Sequence, residues 1–434
     1  MKRLTRLATV ISVACATLSV TTAFAATEAE KRAAIDSGLA YLATTQNADG
    51  SFDGGGIDYQ LAQTGSALTA FLEEKANWGA NAAAYQTVVN KGLNYLLGNA
   101  SVVNIAAQPA GNPDKDGNGV GVKFYPGGLS TRDTYVTGLV LPAIASSGTP
   151  DALVTVGPLA GRTDGSGAGG AWTFKDVVQN TIDYFAFGQS DAASGVYQGG
   201  WRYYANYGNS DQSTTQWPVI AALYASKMGV TVPDFFKTEL AQWVAYIQND
   251  TTGAAGYTGP DSYYGRMNET GALLIMMDFL GMPTSNADVQ KALAFINQYW
   301  QLGASSYEGN FGQPYGMWAI YKGLELTLGT DATNAIISNL RAGNCGGDVD
   351  NPDHGCNWFE DYAEYLVSTQ NANGSWSGYS SWGAGLATPW YINILAATEI
   401  PDDDDNNVPE PGTLMLLGAG LLGGLAIRRR RLPV

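Results

Sequence analysis

Two carboxylates stand out by context as candidates for chemistry. Asp211, in "GNSDQSTTQWP", and Glu269, in "RMNETGALLIMM", each stand at the start of a strongly apolar segment. Two carboxyl groups facing across a cavity, about 6.5–9.5 Å apart, are what inverting glycoside hydrolysis requires. Trp201, Tyr203, Tyr204 and Trp217 nearby offer flat faces to a sugar or a polyene. The same two positions are where an acid caps a helix and meets its dipole. Capping is the plainer expectation, and Asp211 and Glu269 are catalytic candidates only if the protein is an enzyme.

Two acidic loops bear on cofactors. In "DKDGNG", Asp114, Asp116 and Asn118 present oxygens with the spacing of the first half of a calcium loop, although no Glu follows at the twelfth position. Calcium is the one cofactor this pattern suggests, against a plain solvated Asp/Gly turn. Asp348, Asp350 and Asp353 make a weaker case of the same kind. Cys345 and Cys356 lie close together in a chain that looks exported, which favours a disulfide closing a short loop, worth about 2–3 kcal/mol. The only histidine, His354, lies between them. A three-histidine zinc centre is therefore excluded, and a Ser-His-Asp hydrolase would need this loop to reach the cavity.

These residues need a scaffold, and the chain ends say where it works. Lys2, Arg3 and Arg6 precede an apolar run, and Ala23-Phe24-Ala25 offers a cleavage site before Ala26, so residues 1–25 read as a signal peptide for signal peptidase. Residues 408–434 hold Pro409-Glu410-Pro411, an apolar stretch from Thr413 to Ile427, and Arg428, Arg429, Arg430 and Arg431. That stretch spans about 22 Å as a helix, short of the roughly 30 Å hydrocarbon core. Flanking arginines can snorkel, so a single transmembrane helix is expected, with its arginines cytoplasmic and the body outside the inner membrane. "PDDDDNN", residues 401–407, reads as a solvated acidic linker. The net charge is −16, and the body is more acidic still without its positive ends. Nucleic acid is excluded as a partner.

The body, residues 26–400, repeats. Six segments with one apolar stripe, beginning with "AIDSGLAYLATTQN" and ending with "WFEDYAEYLVSTQN", alternate with six that are apolar on nearly all sides, such as "TTQWPVIAALYASKMG". Thr, Asn or Asp opens several of the apolar segments, and Gly148, Gly229, Gly281 and Gly329 close them, as helix caps and stops do. Six hairpins with buried inner and amphipathic outer helices predict an all-α, α6/α6 toroid; an open solenoid satisfies the same period. The echo of "TQNADGSF" in "TQNANGSW" favours closure, because a ring makes its first and last units neighbours.

The phrase carries a resemblance. Gln46, Gly50 and Phe52, Gln370, Gly374 and Trp376, and the "QGGW" at Gly199, Gly200 and Trp201 are similar to the repeats of the squalene cyclase and prenyltransferase superfamily. Physically, the Gln can bond backbone of the next hairpin, the glycine permits positive φ, and the aromatic ring stacks. The superfamily's activities are not implied. The Asp-x-Asp-Asp acid of the squalene-hopene cyclases occurs only in the linker, and the prenyltransferase zinc pattern and the complement-type thioester motif are missing. The C-terminal arrangement closely resembles the PEP-CTERM sorting signal of Gram-negative bacteria, which implies processing by an exosortase. The expected protein is thus exported, held transiently in the membrane, then placed at the cell surface or in the extracellular matrix. There it acts as a binding or structural module for a lipid or polysaccharide, with an enzyme on such a molecule as the alternative.

Overall fold

The structure, a computed structural model, describes residues 26–52, 56–125, 132–263, 265–305, 309–330, 336–341, 357–379 and 383–397. The signal peptide with Ala25, the Cys345 and Cys356 pair with His354, the loop of Asp348, Asp350 and Asp353, the acidic linker and the sorting segment lie outside these residues. Among the described residues no helix is long and apolar enough to cross a membrane, and the expected span at Thr413–Ile427 is not among them.

Helices alternate between two layers. The outer layer comprises α1 (Glu28–Thr45), α3 (Ala82–Gly98), α5 (Phe174–Gly188), α7 (Asp234–Ile247), α9 (Ala287–Gln298) and α11 (Trp358–Thr369). The inner layer comprises α2 (Ile57–Glu73), α4 (Asp133–Ala145), α6 (Gln212–Ala225), α8 (Arg266–Phe279), α10 (Pro314–Leu328) and α12 (Gly383–Leu395). Patterning decides the layer. Every residue of α4 and α6 is buried, whereas α1 buries one stripe that includes Ala34, Ile35, Gly38, Leu39 and Leu42. The expected stops hold, since Gly148, Gly229, Gly281 and Gly329 all take positive φ.

The inner helices close a ring: each packs on the next from α2 to α12, and α12 packs on α2. In the outer layer α1 meets α11. Lys31 and Glu360 pair across that seam at 2.9 Å.

The repeated phrase is the rivet between hairpins. Gln46 Nε2 donates to the Gly50 carbonyl at 3.1 Å and to the Val88 carbonyl of the next outer helix at 2.8 Å. Gln189 does the same with Gly199 and Phe236, Gln248 with Gly253 and Asp288, and Gln370 with Gly374 and Ala34. The turn glycine must be glycine: a Cβ on Gly374, at φ 87°, would lie 2.2 Å from the Ser37 carbonyl oxygen. Two positions after that glycine, the backbone N–H of Phe52, Trp201, Ala255 and Trp376 donates to an inner-helix hydroxyl, that of Thr64, Thr215, Thr270 and Thr388.

One expectation needs correction. The chain is not all-α: β1 (Ala100–Asn104) and β2 (Val120–Phe124) form an antiparallel ribbon between α3 and α4, with Ala100 opposite Phe124. Val120, Val122 and Phe124 alternate and are buried, and β2 packs on α4 and α5. Period-two patterning over five residues, inside a Gly- and Pro-rich stretch, is easily read as loop.

Candidate functional site

Asp211 and Glu269 lie at the same end of the ring, where the inner helices begin. Asp211 is the N-cap of α6 and accepts from Thr214 N at 2.7 Å, Ser213 Oγ at 2.7 Å, Thr214 Oγ1 at 3.0 Å and Tyr257 OH at 3.4 Å. Its carboxylate also faces Arg202 Nε at 3.5 Å. Burial raises its pKa, while these hydrogen bonds and Arg202 pull it back down. Capping, the plainer expectation, describes Asp211 well.

Glu269 differs. It sits in the first turn of α8, is 3% exposed, and its Oε2 has no hydrogen-bond partner. Burial, and then the charge of Asp211, push its pKa well above the usual carboxylate range. Burial thus favours the protonated form of Glu269 relative to a free carboxyl group. Beside it Tyr135 donates to Ser213 Oγ at 2.5 Å, and Tyr315 donates to the Ser213 carbonyl at 3.2 Å. No single position betrays this network, because its members come from α4, α6, α8 and α10.

Above the carboxylates lies an aromatic cover. The Arg202 guanidinium stands over the rings of Tyr203, Tyr207 and Tyr257 at 5.1, 5.6 and 5.7 Å. Tyr203 and Tyr257 join their hydroxyls at 3.1 Å, and Tyr204 and Tyr207 are exposed. Trp201 is not part of this surface: it is buried and stacks on Phe236 at 4.8 Å, while its indole N–H donates to the Phe185 carbonyl.

Below, three tryptophans of the inner helices meet. Trp217 stacks on Trp318 at 5.4 Å and on Trp390 at 6.1 Å. Ser66, Thr69, Tyr224 and Asn393 help line a cavity of about 20 Å³ beside these rings, room for about one water molecule.

The calcium candidates are brought together only in part. Carboxylate oxygens of Asp114, Asp116 and Asp183 lie within 4.8 Å of one another. Asp183, from α5, takes the place expected of Asn118, whose side-chain oxygen instead accepts from Val120 N at 2.9 Å. Gln179 Nε2 and Lys115 N donate to Asp183. Burial, followed by the charges of Asp116 and Asp114, pushes Asp183 up to about 8. The chemistry of this donor set, hard carboxylate oxygens of three aspartates within 4.8 Å of one another, fits calcium once Asp183 gives up its proton.

Comparisons with known proteins divide the chain the same way. Residues 407–431 match the PEP-CTERM protein-sorting motif. The chain thus carries the mark of an exported protein that an exosortase sorts. No curated protein matches it. Among solved structures, the helical body is similar to an inactive variant of the α-1,6-mannanase of Salegentibacter sp. HEL1_6 in complex with α-1,6-mannotriose, with 10% identity over 86% of this chain and 100% of that chain, TM-score 0.51. A glycoside hydrolase family 76 mannosidase of Bacteroides thetaiotaomicron VPI-5482 is similar too, with 10% identity, 84% and 98% coverage and TM-score 0.51. A type II terpene cyclase from Scytonema matches at 12% identity, 86% and 98% coverage and TM-score 0.48. At such identities the mannan-active structures establish the fold alone: the body of this chain is an α/α toroid.

Proposed function

We propose that the toroid, residues 26–400, is a non-cyclase binding or structural module. It is freed of residues 1–25 by signal peptidase, carried on the acidic linker 401–407, processed by an exosortase at the sorting segment 408–434, and displayed at the cell surface or in the extracellular matrix for a lipid or polysaccharide ligand. The observation that carries the reading is the tryptophan stack between the inner helices, where Trp217, Trp318 and Trp390 occupy space a polyene would need. The use of Asp211 as a helix cap supports it. The test is mass spectrometry of lipid and polysaccharide extracts incubated with the purified body, wild type beside Asp211→Asn and Glu269→Gln. Unchanged extracts together with retention of a polymer or lipid on the immobilised protein are expected. A product that disappears with either carboxylate would overturn the binding-module reading.

Catalysis on a lipid or glycan is the second reading. Glu269, a buried acid whose pKa burial raises and whose Oε2 is unengaged beside Asp211, favours it. Calcium is a separate element of the proposal, held by Asp114, Asp116 and Asp183 with Asn118 ordering the loop, and its role would be to pin the ribbon to α5.

A further inference from the structure

At the rim, Arg202 leaves strong donors unused. Its guanidinium donates no hydrogen bond among the described residues. Nε is buried without a hydrogen-bond partner and meets Asp211 Oδ2 only as an ion pair at 3.5 Å. An arginine has five N–H donors in a rigid fork that matches a carboxylate, and this one is 18% exposed in its side chain. Around it Tyr203, Tyr207 and Tyr257 hold the fork in place. Tyr204 and Tyr207, 44% and 37% exposed, meet at 4.5 Å and 54° and present two tilted ring faces to solvent.

We infer that this rim binds a sugar chain through an isolated acidic residue, the pyranose ring stacked on Tyr204 and Tyr207 and its carboxylate forked by Arg202. The inference rests on the binding-module reading and narrows its ligand. Charge complementarity sets both parts of the specificity. Locally the rim offers arginine to an anion, but a chain of net charge −16 repels a dense polyanion before contact. A mostly neutral polymer with sparse uronates satisfies both conditions. Buried Asp211 holds Arg202 from behind and positions it.

The probe is extracellular polysaccharide isolated from the producing cells, used native and after reduction of its carboxyl groups to alcohols, titrated against the full exported body. Carboxyl reduction is expected to weaken binding about tenfold or more. Tyr207→Ala, an exposed change that leaves the fold intact, and Arg202→Lys, which keeps the charge but loses the fork, are each expected to weaken binding to the native polymer and to abolish the difference between the two polymers. Unfolding of Arg202→Lys is monitored by its melting curve, and Tyr204→Ala then serves as the second variant. Equal binding of native and reduced polymer would overturn the acidic anchor while leaving a glycan-binding module. Absence of binding to either would overturn this inference; if lipid extracts are not retained either, the binding-module reading falls with it.

Discussion

Gln370 Nε2 lies 2.8 Å from the backbone carbonyl oxygen of Ala34, a hydrogen bond between residues 336 positions apart. It is the same bond that Gln46 makes to Val88 between consecutive hairpins, so the last unit treats the first as its next neighbour. This bond converts a row of hairpins into a ring.

Ring closure predicts equal costs at sites far apart in sequence. Gln370→Ala and Gln46→Ala should each lower stability by about 1–3 kcal/mol, since both strip a donor from two carbonyls. Gly374→Ala should cost about 3 kcal/mol or more, because its Cβ meets the Ser37 carbonyl in a strained backbone. Urea unfolding measures all three. In an open arc Gln370→Ala would lose only its bond to Gly374 and cost less than Gln46→Ala.

The two rim carboxylates should respond in opposite ways. Asp211→Ala removes the α6 cap and leaves the Ser213 and Thr214 hydroxyls without their acceptor, an expected loss of about 2 kcal/mol. Glu269→Gln replaces the acid by an isostere that cannot ionise. The folded pKa of Glu269 exceeds its unfolded value, so its contribution is complete below about pH 4.3 and is lost as pH rises from there through the folded value. The Gln variant should therefore melt like wild type at pH 4 and no lower than wild type at pH 8. A lower melting temperature at pH 8 would contradict a raised Glu269 pKa.

Asp183 gives the calcium site a pH signature. Its folded pKa of about 8 lies above the roughly 3.9 of an unfolded aspartate, so without metal its contribution is complete below pH 4. That contribution then shrinks by about 1.4 kcal/mol per pH unit up to pH 8. Calcium binds the ionised carboxylate and should reverse the loss at pH 8, raising the melting temperature in wild type and not in Asp183→Asn. If chelator and calcium give identical melting curves at pH 8, the three aspartates hold no calcium.

Sorting has its own check. Replacing Pro409, Glu410 and Pro411 by alanine should leave export intact but retain the C-terminal tail. Intact-mass measurement of the surface protein reads this as the added mass of the apolar segment and Arg428–Arg431.

Much of this architecture is legible in the sequence. The twelve helices announce themselves because inner and outer elements differ in how many faces are apolar, and because Gln46, Gly50 and their counterparts mark four of the junctions. The ribbon at Ala100–Asn104 and Val120–Phe124 is not, being too short to display a period. Asp183 is hidden for another reason: it joins Asp114 and Asp116 only when α5 packs on the ribbon, and 68 residues separate it from Lys115, which donates to it. The raised pKa of Glu269 comes from burial among the inner helices, a property no local pattern carries.

Antiparallel hairpins give the ring a front and a back. Arg32, in the first turns of α1, bonds Glu74, just past the end of α2, so outer helices begin where inner helices end. The chain therefore enters at Ala26 and leaves past Ala397 on one face, while Arg202, Tyr204 and Tyr207 occupy the opposite one. The rim proposed to bind a sugar chain thus lies on the face turned away from both ends of the described toroid.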